Sequence, residues 1–152
     1  MQLFYIDASV LVTPLLKNRP QPIIDECLSW LERIGRGELR GVTSFLTWDE
    51  VTWIAAKQPT GKYVRADAVA AGQRLLGLVN FEFVPADTAV THKAQDLLAR
   101  FNFKPRDSIH ASSALLHAGG SMLTLDSDFL KNPVEASKLG LKVVQIGGGS
   151  PP

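Results

Sequence analysis

Four short segments of this chain set a carboxylate at the point where an apolar run begins or ends. They are "YIDAS" with Asp7, "LTWDEV" with Asp49 and Glu50, "PRDSIHAS" with Asp107, and "TLDSDF" with Asp126 and Asp128. In the last of these, Leu123 and Leu125 alternate with Thr124, the pattern of a buried strand's end. Positions two apart on an extended chain point to the same side, so Asp126 and Asp128 are expected close together at an apolar rim. Like charges held close raise each other's cost of ionisation. A cation relieves that cost. Oxygen-only ligation selects hard ions such as magnesium or manganese. An ion of that kind keeps positions open for water and phosphate oxygens, which is the setting for metal-assisted phosphoryl displacement.

Singly, each acid has an ordinary explanation. Asp7 could cap a following helix, and Asp107 stands in the first turn of one, where the dipole favours an anion. Asp126 and Asp128 could be turn formers. Asp49 and Glu50 could be solvated helix residues. Of those two, Glu50 shares a helix face with Leu46 and Trp53 and is expected to point inward, with Asp49 outward. The recurrence of the pattern at four element ends, in order, favours a shared site.

The elements that must position these residues follow from the apolar runs. "LFYID" (3–7), "LRGVTS" (39–44), "FEFVP" (81–85), "SMLTL" (121–125) and "KVVQI" (142–146) read as strands. Helices are expected over "ASVLVTPLL" up to a break at 17–22, over "PIIDECLSWLERIG", and over "FLTWDEVTWIAAK" with Ser44 as N-cap. Three more are expected over "GKYVRADAVAAGQRLLGLV", "DTAVTHKAQDLLARF" and "PRDSIHASSALLHAGG". Apolar strands alternating with helices predict an α/β fold with a mostly parallel sheet covered on both faces. No repeat, linker or shift in composition divides the chain. One domain is expected over residues 1–147, with 148–152 as a flexible tail. Ligands of such folds bind beyond the carboxyl ends of the strands. Asp7 and Asp126 both stand at that kind of end.

Of the 152 residues, 16 are Lys or Arg and 15 are Asp or Glu, giving a net charge of +1. That excludes a protein that grips nucleic acid by overall charge alone. Cys27 is the single cysteine, so there is no internal disulfide. With no signal-peptide pattern, the expected compartment is the cytoplasm. No apolar run reaches the length of a membrane span.

The order of the acidic segments resembles that of the PIN-domain nucleases, the family of the VapC-type toxins of prokaryotic toxin–antitoxin pairs. In that family an acid follows strand one in a D-[AST]-[SN] context, and another lies within the third helix. A third opens the helix before strand four, and a fourth follows that strand in a T-x-D-x-D-F context. Here these fall on "DAS", "LTWDEV", "RDSIHA" and "TLDSDF". The resemblance covers nearly the whole chain. It implies a three-layer α/β/α sandwich around a five-stranded parallel sheet, with strands one and four adjacent at its centre. It also implies magnesium- or manganese-dependent cleavage of RNA, a homodimer, and inhibition by a small antitoxin.

Carried over residue by residue, the resemblance puts Asp7, Glu50, Asp107 and Asp126 in the acidic pocket as catalytic residues and metal ligands. Asp128 matches a more variable fifth acid. Ser9 matches the small polar residue after the first acid, where a hydroxyl could hold a carboxylate or a water, and Thr124 could do the same from strand four. Lys104, Arg106 and Lys131 flank the acids and could contact phosphates. His110 lies one helical turn from Asp107 and could touch the site, although a lone helical His is more often structural. His92 and His117 have no zinc-like spacing. Cys27 is expected in the core. Trp30, Trp48 and Trp53 could stack on bases, but at helical spacing they are more often core or dimer surface.

Two apolar helices, Phe45–Lys57 and Lys62–Val79, carry Trp48, Trp53, Tyr63, Val64, Leu75 and Leu76, a surface suited to a symmetric dimer. The competing readings are a PIN-like module that binds RNA or protein without cutting, and an RNA-processing nuclease outside toxin–antitoxin systems. A phosphatase-type phosphotransferase ranks lower, because Ser9 stands where its second acid would be.

Overall fold

The computed structural model describes residues 1–129 and 133–147. Lys131 and the tail at 148–152 lie outside the described residues. The chain runs β1 (Gln2–Ile6), α1 (Ala8–Val12), α2 (Gln21–Gly35), β2 (Leu39–Ser44), α3 (Phe45–Lys57), α4 (Arg65–Leu76), β3 (Phe81–Val84), α5 (Thr88–Arg100), α6 (Pro105–His117), β4 (Ser121–Thr124), α7 (Pro133–Lys138) and β5 (Lys142–Gln145). Single 3₁₀ turns follow α1 (Thr13–Leu15) and β4 (Ser127–Phe129).

All five strands pair in parallel, in the order β3-β2-β1-β4-β5. The sequence expectation of a parallel five-stranded sheet with strands one and four side by side holds. The register sets Tyr5 against Met122 and Ile6 against Leu123. Successive residues of β1 point to opposite faces, and both faces are covered. Phe4 and Ile6 face one layer with Val10, Cys27, Trp30, Ile34, Val51 and Leu75. Tyr5 faces the other with Val42, Leu97, Ala111, Ala114 and Met122. This is why "LFYI" reads as an unbroken apolar run. Trp30 packs edge-on against Phe4, with ring centroids 5.3 Å apart. Trp30 and Cys27 are core residues.

From β1 the chain winds outward through β2 and β3, then returns to the other side of β1 as β4. The order therefore reverses between β1 and β4, the place where such sheets open a crevice at their carboxyl ends. Gly120 enters β4 at φ +82, and a Cβ there would lie 2.0 Å from the Gly140 carbonyl oxygen. Only glycine allows that approach. Among the described residues, no helix is long and apolar enough to cross a membrane.

Several boundaries differ from the sequence expectation. The helix expected over "ASVLVTPLL" ends at Val12 and tightens into a 3₁₀ turn, because Pro14 has no N–H to continue it. The fourth helix begins at Arg65, after Gly61 turns the chain at φ +75. Ser44 occupies the N-cap position of α3 but makes no side-chain cap. Its hydroxyl accepts from Tyr5 instead, at 2.9 Å. Leu75, expected on the exposed apolar surface, is core on the inner side of α4. The helix α7 was not expected, since six residues carry too little periodicity to read.

Candidate active site

Beyond the carboxyl ends of β1 and β4 lies a cleft of about 250 Å³ lined by Asp7, Glu50, Asp107, His110, Asp126 and Arg106 among others. The four acids singled out in sequence reach it from four directions. Asp7 caps α1, Glu50 projects from α3, Asp107 sits in the first turn of α6, and Asp126 follows β4. Asp49 is exposed and turns to a separate hollow with Trp48, Trp53 and Tyr63.

Asp7 is buried and held tightly. Its Oδ2 accepts from Ser9 Oγ at 2.5 Å, from Thr124 Oγ1 at 2.9 Å and from the Ser9 amide at 3.3 Å. The cap and the two hydroxyls thus fix one oxygen. The other, Oδ1, lies 3.7 Å from His110 Nε2. The same hydroxyls order the start of the next loop. Leu125 N–H donates to Ser9 Oγ, and Asp126 N–H to Thr124 Oγ1.

Asp126 and Asp128 are close, but not because they share a strand face. β4 stops at Thr124, and the Asp128 N–H donates to Asp126 Oδ1 at 2.8 Å. The aspartate thus turns the chain by bonding two residues ahead. Carboxylate oxygens of Asp107, Asp126 and Asp128 all lie within 4.8 Å of one another. Burial pushes the Asp107 carboxyl above the ordinary range, and the neighbouring Asp126 charge pushes the same way. Lys104 Nζ stands 2.5 Å from Asp128 Oδ2, and that hydrogen bond raises the lysine's pKa. Arg106 Nη1 lies 3.3 Å from Glu50 Oε1. Each exposed cation therefore rests on a different acid.

His110 is the residue that sequence reasoning underrated. It is 3% exposed and stands inside the cleft, where Nε2 is 3.0 Å from Glu50 Oε2 and Nδ1 is 2.7 Å from Tyr5 Oη. With Tyr5 donating to Ser44, both ring nitrogens act as donors. Burial alone would favour the neutral ring. It is the largest single influence, but the Glu50 hydrogen bond and the Tyr5, Asp7 and Glu50 fields together outweigh it, and the pKa rises to about 10. The one sequence signal was its place three residues after Asp107. His92 and His117 do not line the cleft.

The donor set fits a hard divalent cation. Asp107, Asp126 and Asp128 offer oxygens within reach of one ion, and a cation would offset both the burial and the Asp126 charge that raise Asp107. Asp7 and Glu50 line the same cleft as Asp107 and Asp126.

The fold is that of several solved structures. A toxin–antitoxin complex from Klebsiella pneumoniae aligns over 93% of this chain and 96% of its own, with a TM-score of 0.61 and 22% identity. VapBC2 from Rickettsia felis, bound to a DNA fragment from its promoter, aligns over 95% and 98% with a TM-score of 0.65 and 14% identity. FitAcB from Neisseria gonorrhoeae aligns over 96% and 99% with a TM-score of 0.66 and 15% identity. No curated protein gives a significant match to the sequence. Residues 4–135, which run from β1 through all four acidic segments, match the model of the PIN domain, and the chain belongs to that family.

Proposed function

We propose that the protein is an endoribonuclease that cleaves RNA phosphodiester bonds at this cleft with magnesium or manganese. We propose further that it is the toxin of a toxin–antitoxin pair, acts in the cytoplasm, and is held in check by a small antitoxin. The observation that carries the nuclease reading is the convergence of Asp7, Glu50, Asp107 and Asp126 on one cleft at the point where the strand order reverses. Membership of the PIN family supports it. The toxin reading draws support from neighbours that are themselves toxin–antitoxin assemblies.

Asp107, Asp126 and Asp128 would hold the ion together with Asp7 and Glu50, which line the same cleft. Bound there, the ion supplies Lewis acidity toward phosphate oxygens and eases deprotonation of a coordinated water. Ser9 and Thr124 keep Asp7 in one orientation, so its free oxygen faces the cleft throughout. Lys104 and Arg106, exposed at the rim, exchange their carboxylate partners for backbone phosphates of the RNA. The protein pairs with a second copy through the outer faces of α3 and α4. Trp48, Trp53, Val69 and Leu76 on these helices, and Tyr63 and Val64 in the segment between them, are all more than a third exposed.

The test is incubation of purified protein with a mixed RNA pool in chelator, magnesium or manganese, beside Asp126→Asn. Cleavage by the wild type alone, and only with metal, is the expected result. Retention of RNA without cleavage in any metal would make the protein a binding module. A short neighbouring reading frame whose product suppresses cleavage distinguishes a toxin from a processing nuclease.

A further inference from the structure

Glu50 differs from the other acids of the cleft in how it is held. Asp7 is fixed by three donors, and Asp126 by the turn it forms. Glu50 projects from mid-helix on a longer side chain with more rotamers to lose. One of its partners, Arg106, has a side chain 64% exposed, and ion pairs at such positions hold little. The other is His110, whose side chain is 4% exposed. Behind His110 the chain of contacts continues inward. Nδ1 meets Tyr5 Oη on β1, and Tyr5 donates to Ser44 at the end of β2. Tyr5 itself has no exposed surface. A strand at the centre of the sheet is thus connected, through one imidazole on α6, to a carboxylate on α3.

We propose that His110 is a positioning residue, backed by Tyr5, that keeps the Glu50 carboxylate turned into the cleft. The inference rests on the reading of the cleft as a cation site. His110 is not assigned a contact with RNA or with the ion; it acts through Glu50. Partners of this kind behind a metal-ligating carboxylate typically matter about 10- to 100-fold in metal affinity.

The experiment is manganese binding by titration calorimetry, on wild type, His110→Leu, His110→Gln and Tyr5→Phe, each alone and combined with Glu50→Gln. Leu fills the space without a donor, and Gln returns an N–H at about the reach of Nε2. Expected is a loss of about 10-fold in affinity for His110→Leu, recovery to within about 3-fold for His110→Gln, and a smaller loss for Tyr5→Phe. In the Glu50→Gln background all three changes should have no further effect, because the residue they act through is gone. A residue that merely supports the core would give the same loss in both backgrounds. An imidazole acting only as a repelling charge would give tighter binding when removed, again in both. Either pattern overturns the proposal. Should His110→Leu not fold, the Tyr5→Phe and His110→Gln cycles decide in the same way. Wild type that binds no manganese overturns the cation-site reading along with this one. Wild type that binds while the cycles are additive overturns this one alone.

Discussion

Thr124 Oγ1 donates to Asp7 Oδ2 at 2.9 Å across 117 residues of sequence, joining the ends of the two adjacent strands β4 and β1. The same oxygen accepts the Asp126 N–H. Thr124→Val keeps the shape and removes both bonds. Asp7 Oδ2 keeps its two Ser9 donors, so the Asp126 N–H is the group that loses its partner. We expect a loss of about 1–3 kcal/mol in stability, the usual cost of leaving a buried polar group unpaired. RNA cleavage should fall about 10-fold while the fold is kept. Thermal unfolding and initial rates check both; an unchanged melting temperature would show that the Thr124 hydroxyl is not needed.

The four acids give a sharper comparison. Asp7→Asn, Glu50→Gln, Asp107→Asn and Asp126→Asn each keep volume and lose charge. Each is expected to lower metal-dependent cleavage at least about 100-fold, since holding the cation depends on the carboxylate charge. Asp49→Asn, on the exposed side of α3, should cut within about 2-fold of wild type. A silent Glu50→Gln beside an inactive Asp49→Asn would reverse the assignment of the helix acid.

The sheet was legible because β1 is covered on both faces, which leaves a run with no polar interruption until Asp7. The positions of Asp7 and Asp126 at strand ends follow from the same runs. The proximity of Asp126 and Asp128 was also expected, but for a reason that does not hold: an aspartate turn brings them together, not a strand face. His110 could not be placed from sequence. Its partner Tyr5 is 105 residues away, and their contact exists only because α6 packs across β1. Leu75 was misplaced because a helix pattern shows which residues share a face, not which face the next layer covers.

Cys27 provides a pH test remote from the cleft. Burial is the main cause that pushes its thiol up to about 11, with Glu26 adding. Well below pH 9 the thiol is neutral whether the chain is folded or not. Between about 9 and 11 the unfolded chain loses the proton first, so this group's contribution to stability declines over that window. At pH 8.5 alkylation by iodoacetamide should be at least about 100-fold slower in the native protein than in urea. Equal rates would place Cys27 at the surface.

The exposed apolar face of α3 and α4 predicts assembly. Trp53 is 53% exposed with Tyr63 5.8 Å away, and Leu76 is 58% exposed. We expect a dimer at micromolar concentration by sedimentation, and a monomer for Leu76→Arg combined with Trp53→Glu. Both positions are exposed, so the double variant should fold. A wild type that sediments as a monomer would remove the dimer from the proposal.

Removing charge from the cleft should have opposite effects with and without metal. In the metal-free protein Asp107, Asp126 and Asp128 stand within reach of one ion, with Lys104 close by, and the Asp107 carboxyl is raised. A carboxyl raised in the folded state contributes stability below its unfolded pKa of about 3.8, and that contribution is lost as pH climbs through the folded value. Once Asp107 is ionised, its burial penalty is joined by repulsion from Asp126. Asp126→Asn relieves it and should raise the melting temperature in chelator by a few degrees, about 1 kcal/mol for a chain of this size. An ion that binds only the folded state stabilises it by mass action. Ten millimolar magnesium or manganese should then raise the wild type well above Asp126→Asn, reversing the order. An aspartate that served only to form the turn would show neither effect. Equal metal-induced shifts in the two proteins would mean that Asp126 takes no part in a shared cation site.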